Sequence, residues 1–185
     1  MSATNRGSKR IEYDFYPTPI EVIHNFLEQY QLKDGVILEP CAGCGNFIQV
    51  IRDKGYKNII VANEIRQEEQ QNLINSGADY VFHKDFLTEL LPVHEIKTII
   101  TNPPFSKAKE FILRCKELYP NAEIIMLLRT AFLESKARYD FWQQHPVNKL
   151  YILSSRPKFV NNKTDATSYA FFVWDNANKQ EIKVI

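Results

Sequence analysis

Blocks of apolar residues alternate with mixed polar segments along this chain, and their spacing predicts seven strands with helices between most of them. Short, nearly continuous apolar runs predict strands at 36–39, 58–62, 80–82, 97–101, 123–128, 150–153 and 169–174. Helices are predicted at 67–76, 108–118 and 135–145, and two more end at Gly35 and Gly55.

The helix before Gly35 has the clearest periodicity. Its apolar face consists of Ile20, Ile23, Phe26, Leu27 and Tyr30. Thr18 precedes this helix, Pro19 fits its first position, and Glu21 lies three residues after Thr18. This arrangement predicts a capping box in which the Thr18 hydroxyl caps the helix.

Strands that alternate with helices and consist of continuous apolar runs are typical of a parallel sheet covered on both faces. The last two strands are joined only by the loop 154–168, which has no helical periodicity. A short connection favours an antiparallel return. The sequence therefore predicts an α/β, Rossmann-like fold with a seven-stranded, mostly parallel sheet, one antiparallel strand and helices on both faces.

The 185 residues fit one domain, and 44% hydrophobic and 24% charged residues are typical of a globular protein. We expect a flexible basic tail at 1–12 and a single domain at 13–185. No apolar run approaches the ~20 residues of a membrane span, and the basic N-terminus has no apolar signal region. Three cysteines form no disulfide framework, so a cytoplasmic location is expected.

The formal net charge is only +1, but the basic residues are unevenly distributed. Between positions 129 and 163 there are seven basic residues and two acidic ones. Such a basic stripe on a near-neutral domain is the charge distribution expected for nucleic-acid binding. An ordinary solvated surface is the alternative interpretation.

Polar side chains follow four consecutive predicted strands, at Glu39, Glu64, Asp85 and Asn102. In doubly wound sheets, ligands bind outside the carboxyl ends of the strands, near the point where the strand order reverses. We therefore expect these four side chains to meet at one ligand site.

A glycine turn, Gly43-Cys44-Gly45, follows the first strand and allows close approach of a ligand to the backbone. Glu64 ends the next strand, where an acidic residue typically binds ribose hydroxyls. A dinucleotide fingerprint would need glycine at position 48, which is Ile48, and no P-loop motif follows the turn. The pattern predicts an adenosine-like cofactor.

Cys41 and Cys44 form a C-x-x-C pair, but no second cysteine pair accompanies them, and the four histidines have no ligand spacing. A zinc site needs four ligands. We therefore predict no metal site and interpret the two cysteines as small side chains of the glycine turn.

The segment Asn102-Pro103-Pro104-Phe105 leaves the fourth strand as a stiff turn, because each proline fixes its own φ and restricts the residue before it. The Asn102 carboxamide, nearby carbonyls and the Phe105 ring could grip a planar group that carries an amine. A strand ending in a Pro-Pro turn with Phe105 in the core is the simpler alternative.

Taken in order, these motifs resemble those of the S-adenosylmethionine-dependent DNA adenine-N6 methyltransferases, in particular the small stand-alone enzymes of phages and prophages. The resemblance covers roughly residues 13–175 and rests on the segments 15–19, 39–45 and 102–105, with Glu64 and Asp85-Phe86 between them. It implies the class I methyltransferase fold and S-adenosylmethionine as the cofactor.

The resemblance also implies roles for individual residues. Cofactor contacts would come from Tyr16, Thr18, Glu39, Cys41, Ala42, Gly43, Gly45, Glu64, Ile65, Asp85, Phe86 and Asn102. Within this set, Glu64 would hold the ribose and Asp85 the adenine amino group, with Phe86 or Ile65 against the adenine ring. Catalysis would rest on Asn102, Pro103, Pro104 and Phe105, and the target base would be held by Phe105, Arg156, Lys158 and Phe159.

The larger members of this family carry a separate target-recognition domain, for which this chain leaves no room. Sequence specificity would then be short, relaxed, or supplied by the loop 154–168. The implied chemistry is direct attack of an adenine amino group, flipped out of the duplex, on the sulfonium methyl.

The motif alone leaves other substrates open, namely adenine N6 or guanine N2 in RNA and glutamine N5 in protein. A non-catalytic nucleic-acid-binding relative is the alternative from another class. The basic 129–163 segment favours a nucleic acid, and DNA is the expected partner. The sequence does not fix an oligomeric state, and a monomer is compatible with it.

Overall fold

The computed structural model describes residues 17–159, 167–175, 177 and 179–185. The predicted tail at 1–12 and Tyr16 lie outside these residues. The described strands are β1 Val36–Glu39, β2 Ile60–Asn63, β3 Tyr80–Phe82, β4 Ile96–Thr101, β5 Glu123–Arg129, β6 Lys149–Ile152, β7 Tyr169–Trp174 and β8 Glu181–Val184. The α-helices are α1 Ile20–Gln29, α2 Asn46–Asp53, α3 Gln70–Asn75, α4 Ala108–Leu118 and α5 Tyr139–Gln144.

These strands form one sheet in the order β3-β2-β1-β4-β5-β7-β6-β8. Strands β1 to β5 pair in parallel, whereas β7 pairs antiparallel with both β5 and β6. The seven predicted strands are all present, and the prediction of one antiparallel strand is confirmed. The eighth strand, β8, was not predicted, and it pairs in parallel with β6.

Helices cover both faces of the sheet, as predicted. One apolar layer includes Phe26 of α1, Ile51 of α2 and Leu73 of α3. The layer on the opposite face includes Ile112 of α4 and Phe141 of α5. Strand residues contribute to the two layers alternately, because successive side chains of a strand point to opposite faces.

The start of α1 differs from the prediction. The residue that caps α1 is Pro19, and no side chain donates or accepts a capping hydrogen bond. The Thr18 hydroxyl instead accepts a hydrogen bond from Asn102, at the end of β4. Ile20 is 36% exposed, and Val22 is buried against the core in the first turn. The capping-box prediction was therefore wrong.

Two predicted helices are shorter than expected because each begins with a 3-10 turn. Gln67–Glu69 precedes α3, and Lys136–Arg138 precedes α5. Within the described ranges, no helix has the length and apolar character needed to cross a membrane.

Glu123 anchors the edge of the sheet opposite the carboxyl ends of the parallel strands. Its carboxylate is buried, with 1% exposure, and accepts hydrogen bonds from the Tyr30 hydroxyl at 2.8 Å and the Thr98 hydroxyl at 2.6 Å. The Lys33 backbone N–H donates to the same carboxylate at 3.2 Å. Burial raises the pKa of Tyr30, and the Glu123 charge acts in the same direction, so this hydroxyl remains a neutral donor.

We expect Glu123→Ala to lower the free energy of unfolding by about 2–4 kcal/mol, because it leaves two buried hydroxyl groups without their acceptor. Urea denaturation followed by tryptophan fluorescence measures this change. Glu117→Ala is the matched control, because the Glu117 carboxylate is exposed and pairs with Arg114 at the surface. That control should cost less than about 1 kcal/mol. Equal losses for the two variants would show that the Glu123 network does not stabilise the fold.

Candidate active site

A cavity of about 490 Å³ opens at the carboxyl edge of the sheet. It lies where the strand order reverses, since β2 and β3 extend from β1 in one direction and β4 and β5 in the other. The helix after β1 packs on one face of the sheet and the helix after β4 packs on the opposite face. The ends of β1 and β4 therefore border a crevice, which is the usual ligand position in this architecture.

Most of the predicted site residues meet in this cavity. Its lining includes Thr18, Cys41, Ala42, Gly43, Glu64, Ile65, Asp85, Phe86, Asn102 and Pro104. Among the described residues, seven of the predicted set lie outside the lining. These seven are Glu39, Gly45, Pro103, Phe105, Arg156, Lys158 and Phe159.

Glu64 links the end of β2 to the glycine turn. Its Oε2 atom accepts a hydrogen bond from the Gly43 backbone N–H at 2.8 Å. Its Oε1 atom accepts from the Arg66 guanidinium at 2.9 Å and from the Arg66 backbone N–H at 3.2 Å. Arg66 also pairs with Glu69 at 3.0 Å. The carboxylate predicted to bind ribose is thus held in one orientation by two neighbouring segments.

Asn63 joins three strand ends, although the sequence analysis gave it no role. Its buried carboxamide donates to the backbone carbonyls of Pro40 at 3.1 Å and Lys84 at 3.0 Å. It also accepts from the Lys84 backbone N–H at 3.1 Å. One side chain therefore satisfies backbone groups after β1 and β3, which holds the cavity floor together. Its position at the end of β2, directly before Glu64, was the signal that could have identified it.

Glu39 lies behind the cavity. Its side chain is 1% exposed, and one carboxyl oxygen accepts from the Cys41 backbone N–H at 3.3 Å. Burial raises the pKa of the Glu39 carboxyl well above its usual range, and the Glu64 charge adds to this effect, whereas the Cys41 backbone N–H opposes it. Glu39 contributes to the site through the shape of the turn after β1.

Gly43 and Gly45 serve different purposes in the glycine turn. Gly43 lines the cavity, whereas Gly45 caps α2 with φ of +92° and faces Ser76. A Cβ atom at Gly45 would lie 2.4 Å from Ser76 Oγ and 2.8 Å from Ser76 Cβ. The second glycine therefore permits close packing between the turn and the residue after α3.

The two cysteines of the turn both line the cavity. Burial raises the pKa of both thiols, so they are neutral small side chains at neutral pH. The Cys44 thiol donates to the Asn46 carboxamide at 3.2 Å. No cluster of histidine, cysteine and acidic side chains suited to a metal ion occurs within the described ranges.

Asp85 and Phe86 form the cavity wall after β3. Asp85 Oδ1 accepts from the Leu87 backbone N–H at 3.0 Å, which fixes the carboxylate within its own turn. Phe86 is buried and stacks on Phe111 of α4, with ring centroids 5.7 Å apart. Ile65, on the other side, is 44% exposed. The cavity thus has an apolar wall next to an acidic group.

The stiff turn after β4 brings the Asn102 carboxamide to the cavity. Asn102 Nδ2 donates to Thr18 Oγ1 at 3.0 Å. Pro103 is buried, and the Pro104 carbonyl accepts from the Lys107 backbone N–H at 2.8 Å, which starts the 3-10 turn that leads into α4. Two prolines and this turn leave the carboxamide little backbone freedom.

Phe105 lies beside the cavity in an aromatic cluster with Phe159 and Tyr169. Its ring centroid is 5.5 Å from that of Tyr169 and 6.4 Å from that of Phe159. The Arg129 guanidinium lies 5.0 Å from the Phe105 ring centroid and donates to the Tyr169 hydroxyl at 3.2 Å. Phe105 and Phe159, which were both expected to hold the target base, are therefore neighbours. Arg129 and Tyr169 are additional members of the cluster, for which the sequence predicted no role.

The basic residues in the described part of the segment 129–163, positions 129–159, do not form one continuous surface. Arg129, at the end of β5, and the exposed Arg156 and Lys158 lie towards the carboxyl edge of the sheet. Lys149 lies at the opposite end of β6 and pairs with Asp175 at 2.6 Å. Arg138 donates to carbonyl groups of its own loop. Lys163 lies outside the described residues.

No protein-family model and no curated protein sequence matches this chain. Solved structures match its fold. A Pyrococcus horikoshii protein assigned to the RNA methyltransferases aligns with 16% identity over 99% of this chain and 95% of its own, with a TM-score of 0.68. A Plasmodium falciparum dimethyladenosine transferase has 11% identity over 86% and 62% of the two chains, with a TM-score of 0.63.

A third solved structure is TrmK of M. capricolum in complex with S-adenosylhomocysteine. It has 12% identity over 85% of this chain and 69% of its own, with a TM-score of 0.58. Identities this low establish the fold alone. The chain therefore has the Rossmann-like methyltransferase fold, as predicted.

We expect Gly45→Ala to destabilise the protein more than Gly55→Ala does. Both glycines have positive φ, but a Cβ atom at Gly55 meets no atom within 4 Å. Gly55→Ala should cost about 1–2 kcal/mol for the left-handed backbone alone. Gly45→Ala should cost about 1–3 kcal/mol more, because the methyl group overlaps Ser76.

Thermal and urea unfolding of the two variants measure the difference. Adding Ser76→Gly to Gly45→Ala should recover most of the excess, because it removes both overlapping atoms. If both single variants unfold at the same denaturant concentration, the contact with Ser76 does not explain the glycine.

Proposed function

We propose that this protein is an S-adenosylmethionine-dependent methyltransferase that acts on the exocyclic amino group of a nucleic-acid base, with adenine N6 in DNA as its substrate. The observation that carries the proposal is the cavity at the reversal of strand order. It brings the Glu64 carboxylate and the glycine turn together with the Asn102 carboxamide. A cofactor site and an amine-binding turn thereby share one space.

The residues of the cavity fit the proposed cofactor. A volume of about 490 Å³ lies within the range of roughly 300–1,000 Å³ that small-molecule sites occupy. Each carboxylate oxygen can accept two hydrogen bonds. Within the described chain, Glu64 Oε1 accepts two and Oε2 accepts one, so Oε2 retains capacity for a ribose hydroxyl. Asp85 would accept from the adenine amino group, with Ile65 and Phe86 against the ring.

When bound, S-adenosylmethionine supplies an electrophilic methyl group. The lone pair of an adenine amino group is delocalised into the ring, which makes the nitrogen a weak nucleophile. The Asn102 carboxamide oxygen and the Pro103 carbonyl would accept hydrogen bonds from the two N–H bonds and so favour a tetrahedral nitrogen with a localised lone pair. No strong base is needed beforehand, because the amino proton becomes acidic after methylation. Fixed dipoles and positioning therefore supply the catalysis.

The aromatic cluster supports a planar base as the substrate. A flipped base loses a few kcal/mol of stacking and pairing, and stacking on an aromatic ring returns about 1–3 kcal/mol. Phe105 and Phe159 offer such rings, and Arg129, Arg156 and Lys158 place positive charge nearby for the phosphates. A glutamine side chain of a protein would use neither feature.

RNA is the second candidate substrate. The P. horikoshii protein is assigned to the RNA methyltransferases, and the P. falciparum protein is named as a dimethyladenosine transferase. Both have a fold that matches this chain. The same cavity and turn would serve adenine in either polymer, because the amino group and its acceptors are identical. The test therefore compares the two polymers directly.

The test incubates the protein with labelled S-adenosylmethionine and separately with DNA, RNA and protein, followed by digestion and mass spectrometry. We expect N6-methyladenine in DNA. N6-methyladenosine in RNA alone would move the assignment to the second candidate, and methylglutamine or no transfer to any polymer would contradict the proposal.

Asn102→Ala is expected to lower the turnover rate at least about 100-fold with cofactor affinity largely retained. Full activity of that variant would exclude the catalytic role of Asn102.

We expect Glu64→Ala to weaken binding of S-adenosylhomocysteine at least tenfold, because the ribose loses its acceptor and the Gly43 turn loses its anchor. Isothermal calorimetry measures the dissociation constant. Glu68→Ala is the matched control, since Glu68 is an exposed acid in the same segment and outside the cavity lining. An unchanged dissociation constant for Glu64→Ala would rule out the ribose role.

A further inference from the structure

We propose that Thr18 is a positioning residue that orients the Asn102 carboxamide, and that Asn46 holds Thr18 in place from the glycine turn. This inference rests on the proposed function, since it concerns the group that would accept the hydrogen bonds of the substrate amine. It assigns the hydrogen bonds between three chain segments to one task, which neither a helix cap nor a direct cofactor contact describes.

The central contact joins residues 84 positions apart. Asn102 Nδ2 donates to Thr18 Oγ1 at 3.0 Å, and Thr18 is buried with 3% exposure. A carboxamide is planar, with the nitrogen and the oxygen on opposite sides of its axis. Because the nitrogen lies against Thr18 in this structure, the carboxamide oxygen points away from Thr18.

The Thr18 backbone is itself held by the glycine turn. Asn46, the first residue of α2, donates from Nδ2 to the Thr18 carbonyl at 2.8 Å. The Asn46 carboxamide oxygen accepts from the Cys44 thiol at 3.2 Å, which orients the Asn46 side chain in turn. A hydrogen-bonded chain thus runs from Cys44 through Asn46 and Thr18 to Asn102.

All four residues of this hydrogen-bonded series line the same cavity. The series begins in the turn after β1, where the cofactor is proposed to bind, and ends at the amine-binding turn after β4. These four cavity-lining residues are therefore donors and acceptors that fix one another, rather than independent ligands.

The helix α1 does not need the Thr18 hydroxyl. No side chain makes a capping hydrogen bond at the start of this helix, and its N-cap position is Pro19. The side-chain oxygen of a threonine at the start of a helix commonly accepts a hydrogen bond from a backbone N–H of the first turn. In this protein the Thr18 oxygen instead accepts a hydrogen bond from Asn102 in the cavity, and α1 has no side-chain cap.

The orientation matters because a carboxamide turned by 180° presents N–H groups where the oxygen should be. The N–H groups of the Asn102 carboxamide would then face the N–H groups of the substrate amine, and the amine would lose an acceptor. The contribution of one neutral hydrogen bond corresponds to roughly a tenfold preference for a carboxamide held at Thr18 over one that is free to rotate. Loss of the Thr18 hydroxyl should therefore reduce turnover by about 5- to 20-fold.

Two substitutions separate the hydroxyl from the shape of the side chain. Thr18→Val keeps the volume and removes the acceptor, whereas Thr18→Ser keeps the hydroxyl. We expect Thr18→Val to lower kcat about 5- to 20-fold, with the dissociation constant of S-adenosylhomocysteine within about twofold of wild type. Thr18→Ser should restore most of the turnover.

The contrary outcome is defined by the same measurements. If Thr18→Val weakens S-adenosylhomocysteine binding tenfold and leaves kcat unchanged, Thr18 is a direct cofactor contact and the inference is wrong. Equal kcat values for wild type and Thr18→Val would also overturn it. Should Thr18→Val fail to fold, Thr18→Ala compared with Thr18→Ser provides the same contrast.

A second readout does not depend on methyl transfer. The Asn102 side-chain NH₂ signal in a ¹⁵N-¹H spectrum, assigned by its disappearance in Asn102→Asp, reports the hydrogen bond directly. We expect its hydrogen exchange to accelerate at least about tenfold in Thr18→Val and to remain near the wild-type rate in Thr18→Ser. No acceleration in Thr18→Val would refute the orientation role. A wild-type protein without methyl transfer would refute only the proposed function.

Discussion

The reversal of strand order between β1 and β4 is the constraint on which the rest of the site depends. Neighbouring parallel strands whose following helices pack on opposite faces cannot close the space above their carboxyl ends. Their ends therefore leave a crevice, which is lined by the segments that follow β1, β2, β3 and β4. The cavity of about 490 Å³ is the direct result of this topology.

Amide and carboxyl side chains then hold the segments around the crevice together. Asn63 bonds backbone groups after β1 and β3, Glu64 bonds the glycine turn, and Asn46 and Asn102 are both bonded to Thr18. Buried polar groups are costly unless they are paired, so each of these contacts fixes a geometry as well as adding stability. The same side chains thus serve the fold and the proposed chemistry. This double use explains why polar turns follow the apolar strands.

Local patterning predicted the strands that consist of continuous apolar runs. Seven strands and the antiparallel β7 follow from apolar runs and from the length of the loop before β7. The strand β8 was missed because two of its four residues are charged and it lies at the exposed edge of the sheet. The capping box at Thr18 was wrong for a different reason, because a partner 84 positions away took the hydroxyl.

The sequence by itself determined the fold class and the order of the polar strand ends, since both depend on local periodicity and on the rule that ligands bind at carboxyl ends. It also placed Asn102 in a stiff turn. Only the tertiary structure decided that Glu39 lies behind the cavity, that Gly45 packs against Ser76, and that Arg129 covers Phe105. These contacts join segments distant along the chain, and no local pattern specifies which distant atom a side chain will meet.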